Sequence, residues 1–180
     1  MPLALTHTRR IATSAILAMS SAPNYPTARL TLMPAGEGDF EGLLALRMAA
    51  MRESLERVGR FDPQRARERL SRGYNPAHTR HILRDGELVG FVVVIPREQD
   101  LLLDHLYIHP SAQREGIGAW VMRQVLAEAD AASSPVSVTA LKHSDATRFY
   151  ERHGFVLQAE GEWDLYFRRP ARPASDDPIN

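Results

Sequence analysis

The residues Gln113-Arg114-Glu115-Gly116-Ile117-Gly118-Ala119 are the first whose types and spacing suggest chemistry. They follow an apolar run ending Leu106-Tyr107-Ile108-His109-Pro110, so they read as the passage from a strand into a helix. Two glycines in an opening helical turn cost up to about 1 kcal/mol each relative to alanine. Something other than helix stability therefore favours them. Bare N–H groups at a helix start, aligned with the positive end of the helix dipole, form a site for phosphate or pyrophosphate. The competing account is a tight turn in which glycine only relieves crowding, and a lone Gly-x-Gly would favour it. No Gly-Lys-Ser/Thr follows, so this is not a Walker loop; a Rossmann fingerprint needs a third glycine where Val121 stands.

Other chemistry-bearing side chains are fewer. Two-residue periodicity along Leu101–Ile108 places Leu102, Asp104, Leu106 and Ile108 on one face, with Leu103, His105 and Tyr107 on the other. The seven histidines show no metal-ligand spacing, so no metal is expected, and His105 and His109 read as structural. There is no cysteine, which excludes disulfides, thiolate catalysis and thiolate metal sites and suits a reducing cytoplasm. Arg65, Arg67, Arg69 and Arg72 cluster, yet Glu68 interleaves and a solvated helix face is the better account. With 22 basic and 22 acidic residues the net charge is zero, which steers the chain to neither nucleic acid nor an anionic membrane. No apolar run approaches the roughly 20 residues of a membrane span.

The elements that must position these residues follow from pattern. At 180 residues the chain suits one domain. Ala28–Met33 alternates as a strand. Phe40, Leu43, Leu44, Met48, Met51, Leu55 and Val58 recur at helical spacing up to Gly59. Asp62-Pro63 opens a second helix to about Arg72 as N-cap and first-turn proline. Strands Thr79–Leu83 and Leu88–Ile95 flank an Asp85-Gly86 hairpin turn. After Leu101–Ile108 comes a helix with Ile117, Trp120, Val121, Val125 and Leu126 as its buried stripe. Pro135–Leu141 is a buried strand, Ser144 or Asp145 caps a helix to His153, and Phe155–Ala159 with Trp163–Phe167 closes as a hairpin. The resulting order is β-α-α-β-β-β-α-β-α-β-β.

Both ends read differently. Arg9-Arg10 and the apolar residues after them imitate a signal peptide, but the run is short and broken by Thr13 and Ser14. A disordered leader over 1–27, or a start at Met19, is the expectation. The domain then spans 28–168, and a polar, proline-containing tail occupies 169–180.

Two phrases in this order resemble the GNAT acetyltransferase superfamily. One is Gln113-Arg114-Glu115-Gly116-Ile117-Gly118 after its strand; the other is Ala146-Thr147-Arg148-Phe149-Tyr150-Glu151-Arg152-His153-Gly154-Phe155. The resemblance covers about Ala28–Phe167 and implies an α/β (α+β) fold with a mixed, mostly antiparallel central sheet and flanking helices. Two neighbouring central strands would splay apart to admit the pantetheine arm. His143 stands where many members carry asparagine, which weakens any claim to side-chain contacts there.

The resemblance also implies an activity: transfer of acetyl from acetyl-coenzyme A to a primary amine of a small molecule or protein. Backbone at Leu106, Tyr107, Ile108, Gln113, Arg114, Glu115, Gly116, Ile117, Gly118 and Ala119 would hold the cofactor. Tyr150 would protonate the departing thiolate, although core packing alone would also account for it. Relatives place a Glu or His near the positions of Leu102 and Asp104. Leu102 has no base to offer; Asp104 does, directly or through water, with a strand-end hydrogen bond as its structural alternative. A cytoplasmic enzyme without nucleic acid or membrane partners is expected, and a homodimer is compatible with it. The rivals are a coenzyme A-binding regulatory module without turnover and a nucleic-acid binder using the second helix; no aromatic residues stand between the arginines of that helix.

Overall fold

Local chemistry fixes most element ends in the computed structural model, which describes residues 29–172. The leader placed over 1–27 and the tail beyond 172 lie outside the described residues. Strand β1 (Leu30–Pro34) leads through a 3-10 turn into α1 (Phe40–Arg57). The Asp62 carboxylate accepts the N–H groups of Gln64 (2.9 Å) and Arg65 (3.1 Å), and Pro63 takes the first position of α2 (Pro63–Gly73). Strands β2 (Thr79–Arg84) and β3 (Glu87–Pro96) join through Asp85 and Gly86, at φ 53° and 87°, the paired left-handed residues a two-residue hairpin requires. Then come β4 (Leu101–Ile108), α3 (Ile117–Ala131), β5 (Val136–Leu141), α4 (Ala146–Arg152), β6 (Val156–Glu160) and β7 (Asp164–Arg169).

The seven strands form one sheet in the order β1-β2-β3-β4-β5-β7-β6. Every neighbouring pair is antiparallel except β4 with β5. This is the expected element order and sheet type. Among the described residues no helix is long and apolar enough to cross a membrane.

Two cores cover the sheet. On one face α3 packs Val121, Met122 and Val125 against Val92, Leu103, Val136, Val138 and Phe167, so both halves of the sheet meet there. On the other, Leu43, Leu44 and Leu46 of α1 and Leu70 of α2 bury Phe91 and Val93, which belong to the first half alone.

Two expectations need correction. Two-residue alternation along β4 fails at Asp104, because the ladder with β3 pairs Val93 with His105 but Val94 with Leu103. Asp104 is the extra residue of a bulge, and a single insertion reverses the faces beyond it. Leu101, Leu103, Leu106 and Ile108 therefore share the α3 side, whereas His105 and Tyr107 face the α1–α2 side with Phe91. Arg169, assigned to the tail, is instead the last residue of β7 and 4% exposed. Its guanidinium makes two 2.8 Å bonds to the Asp130 carboxylate, which also accepts the Arg172 N–H at 2.8 Å.

Candidate active site

The bulge sits where the sheet divides. Parallel pairing of β4 with β5 is confined to Leu101↔Val136, Leu102↔Ser137 and Leu103↔Val138. Past Leu103 the β4 arm stays with β3, while Thr139–Leu141 stay with β7. A fork opens between the two arms, and the edge of β4 that faces it has no strand partner among the described residues. Asp104 is the first residue of that open arm, its side chain 30% exposed.

Around Asp104 the α1–α2 side supplies polar groups. Its Oδ2 lies 3.4 Å from His105 Nε2, and a Cβ added at Gly73, the last residue of α2, would be 3.4 Å from the same oxygen. His105 is 5% exposed and neither ring nitrogen has a hydrogen-bond partner among the described residues. Burial pushes its pKa down to about 4; Asp104 opposes that, and Arg47 and Arg69 add to it. The imidazole is neutral at pH 7, so its contact with Asp104 is not an ion pair. Arg47, on the buried face of α1, is 5% exposed and holds its guanidinium 5.6 Å from the Tyr107 ring centre.

The loop into α3 has the geometry that its glycines suggested. Gly116 is the N-cap in the left-handed region at φ 80°, and Arg114 at φ 65° precedes it. The first helical bond there runs from the Trp120 N–H to the Gly116 carbonyl. The N–H groups of Ile117, Gly118 and Ala119 come before that bond and have no acceptor among the described residues. Two neighbouring side chains are already engaged: Gln113 Nε2 donates to the Ile108 carbonyl at 2.9 Å, and Glu115 is paired with Arg84. The loop thus offers backbone rather than carboxylate to an anion, and Gln113 ties it to the end of β4.

Tyr150 approaches from α4. Its ring packs on Phe149, Phe155 and Phe167 at centroid distances of 5.5, 5.6 and 6.3 Å. Its hydroxyl makes no hydrogen bond among the described residues, although the residue is 8% exposed. Burial, and after it the proximity of Tyr107, pushes the phenol's pKa well up. The phenol holds its proton across the working pH range, which suits a proton donor and not a base. A Cβ at Gly118 would lie 3.6 Å from the Phe149 ring, so α4 packs against the first turn of α3.

Of the residues marked in the sequence, Asp104, Leu106, Tyr107 and Ile108 lie on the open arm, the glycine loop hangs from its end, and Tyr150 reaches toward it. The sequence offers Arg47 only as one of several charges on the first helix and its connection, any of which could meet the acceptor, and His105 reads there as structural. The available signal was the His105-Leu106-Tyr107 run beside an aspartate, legible only once the bulge is known.

The comparisons with known proteins bear on this geometry. Residues 77–157, from just before β2 into β6, match the family model of an acetyltransferase (GNAT) domain. Among solved structures, the PaiA N-acetyltransferase of Thermoplasma acidophilum in complex with coenzyme A aligns with TM-score 0.66 at 12% identity, covering 79% of this chain and 99% of that one. The ribosomal-protein-S18-alanine N-acetyltransferase of Escherichia coli aligns with TM-score 0.61 at 14% identity, covering 83% and 98%. An acetyltransferase from Thermus thermophilus gives 0.61 at 19% identity, covering 78% and 96%. No curated protein gives a significant sequence match. At such identities structural likeness speaks for the fold, while the family match spans the bulge, the fork and the glycine loop. Residues 77–157 of this chain thus match a GNAT acetyltransferase domain, on a fold shared with solved N-acetyltransferases.

Proposed function

We propose that the protein transfers acetyl from acetyl-coenzyme A to a primary amine by direct attack in a ternary complex. The observation that carries this reading is the fork opening at Asp104 with, at the end of the same strand, a left-handed glycine cap whose three N–H groups have no acceptor among the described residues. The N–H groups of Ile117, Gly118 and Ala119 receive the pyrophosphate, and the open edge of β4 from Leu106 to Ile108 lines the acyl arm. The Thermoplasma acidophilum neighbour is itself a coenzyme A complex, which supports coenzyme A as the acyl carrier.

In the reaction the neutral amine attacks the thioester carbon, and the cationic nitrogen so formed gives its proton to Asp104, directly or through water. A C–N bond forms and the C–S bond breaks. Strand N–H groups stabilise the oxyanion between those events. Tyr150 donates its proton to the sulfur and regains one from solvent after release. The high pKa of the phenol does not forbid this, because the burial that raises it also raises the pKa of a thiol beside it. Orientation supplies much of the acceleration, since a thioester reacts with a neutral amine once the two are held together. The reaction belongs in the cytoplasm.

The test is release of free thiol from acetyl-coenzyme A in the presence of antibiotic, polyamine, amino acid and protein amines. Transfer to at least one class is expected. Cofactor binding by calorimetry with no transfer to any would replace the enzyme by a coenzyme A-binding module.

A further inference from the structure

The arginines of α1, α2 and the turn between them are unevenly paired. Arg52 pairs with Glu56, Arg57 with Glu53 and Arg67 with Glu41 at 2.6 Å, and the exposed Arg72 has no ion-pair partner among the described residues. Arg47, Arg60, Arg65 and Arg69 line a cavity of about 210 Å³, and none of them has an ion-pair partner among the described residues. Two acids, Asp62 and Asp164, share that lining, and Asp62 is committed to capping α2. With four arginines against two aspartates, the cavity lining carries an excess of positive charge.

Arg47 makes the point sharply. It is 5% exposed, and its Nε and Nη1 are buried with no hydrogen-bond partner among the described residues. A buried charged donor without an acceptor is costly, and such a group persists where something else satisfies it. The guanidinium is held in place by the Tyr107 ring, as Arg60 is by Trp163 at 4.6 Å.

The hollow adjoins the fork. Tyr107 belongs to one arm, and Leu141, which also lines the cavity, ends the other. Arg47 and Arg69 are near enough to depress the pKa of His105, the neighbour of Asp104. Contacts also link the two groups: Arg47 lies over the Tyr107 ring, that ring is 5.4 Å from the His105 ring, and His105 Nε2 is 3.4 Å from Asp104, so an anion on Arg47 sits on the side of the fork where Asp104 opens.

We propose that the acceptor is a small amine bearing a carboxylate, of the amino-acid class, and that Arg47 binds the carboxylate with Arg69 beside it. The proposal rests on the acetyl-transfer reading for the fate of the amine, not for the binding of the anion. A planar guanidinium matches a carboxylate with two parallel N–H bonds, and the low local dielectric strengthens them. A volume below the roughly 300–1,000 Å³ of drug-sized sites suits a small acceptor. The same field repels polyamines and other polycations, so it selects by exclusion as well as by attraction.

The experiment measures kcat/KM for the amino acids against their amides, with spermidine and O-phosphoethanolamine as further arms. The best amino acid is expected to exceed its amide by 100-fold or more. Arg47→Met is expected to cut that ratio below 10-fold, with kcat/KM falling far more for the acid than for its amide. Its melting temperature is expected to equal or exceed wild type, because an unpaired buried charge has gone. If Arg47→Met does not fold, Arg69→Gln on the exposed face of α2 must reduce the ratio instead. Amides equal to acids, a preference for spermidine, or an unchanged ratio in the variant that folds would each overturn the proposal. Preference for O-phosphoethanolamine would overturn the carboxylate in favour of phosphate. Calorimetry with N-acetylamino acids against their amides separates the two readings, since these ligands carry the anion without a nucleophile. Arg47-dependent binding of the acids with no turnover would leave the anion site standing and remove the acetyl transfer. Turnover without discrimination would do the reverse.

Discussion

Replacing Tyr150 by phenylalanine removes one oxygen and one proton and leaves the ring against Phe149, Phe155 and Phe167. The hydroxyl has no hydrogen-bond partner among the described residues, so no such bond is lost. The melting temperature of Tyr150→Phe is therefore expected to stay close to wild type. Turnover is expected to fall. A positioned acid contributes about 10²-fold to 10⁴-fold, which at 1.36 kcal/mol per decade is about 2.7–5.4 kcal/mol of barrier. The raised pKa of the phenol adds a pH signature. Its neutral form is favoured by folding, so that contribution to stability is complete below the unfolded value of about 10 and is lost only as pH rises through the higher folded value. An alkaline loss of rate near pH 8 or 9 would belong to some other group. The assay is thiol release at saturating acceptor, with acetyl-coenzyme A affinity measured by calorimetry on the same preparation. A folded Phe variant with wild-type kcat would remove Tyr150 from the mechanism and leave it as a packing aromatic.

Three further outcomes are expected. Asp104→Asn should lower kcat about 100-fold at pH 7 while sparing acetyl-coenzyme A affinity; equal loss of both would make Asp104 a structural residue of the bulge. Gly116→Ala forces a side chain to φ 80° with nothing within 4 Å to blame on crowding, so about 1–2 kcal/mol of stability and most cofactor affinity should go; unchanged calorimetric affinity would refute the cradle. Asp130 has its pKa lowered to about 2, first by the Arg169 hydrogen bonds, so it stabilises the fold above the unfolded value near 3.9 and that contribution fades as pH falls toward 2. Asp130→Asn should cost about 1.5–3 kcal/mol at pH 7 and flatten the melting temperature between pH 4 and 2; a wild-type acid limb would show that the latch carries no weight.

The legible parts of the sequence were those written in local chemistry. Asp62-Pro63, Asp85-Gly86 and Gly116 each dictate a cap or a turn within four residues, and the structure places caps and turns there. The helical and strand order followed. What escaped was set by events between distant segments. Nothing near Asp104 announces a bulge, because the extra residue is defined against the spacing of β3. Arg47 looked like one helix charge among several until the neighbours showed which arginines had partners. Arg169 sits in a run of prolines and arginines that resembles a tail, and its partner Asp130 is 39 residues earlier.

The narrow seam between β4 and β5 has a mechanical consequence. Three residue pairs join a four-stranded blade to a three-stranded one, and the core under α3 is the layer of side chains that grips both. The opposite core, under α1 and α2, holds residues of the first blade only. The molecule is hinged like a book along a spine at α3, with its free edges toward α1 and α2. Widening the gap at the free side breaks the Arg60–Trp163 contact and opens the cavity below it, whereas shear at the spine would have to break close packing. Amide exchange should accordingly resolve two cooperative units, β1 to β4 and β5 to β7, that open separately at the free edge while Leu101–Leu103 and Val136–Val138 exchange last. A ligand wedged between the blades would be felt first as a slowing of the earlier-opening unit, at amides it never touches.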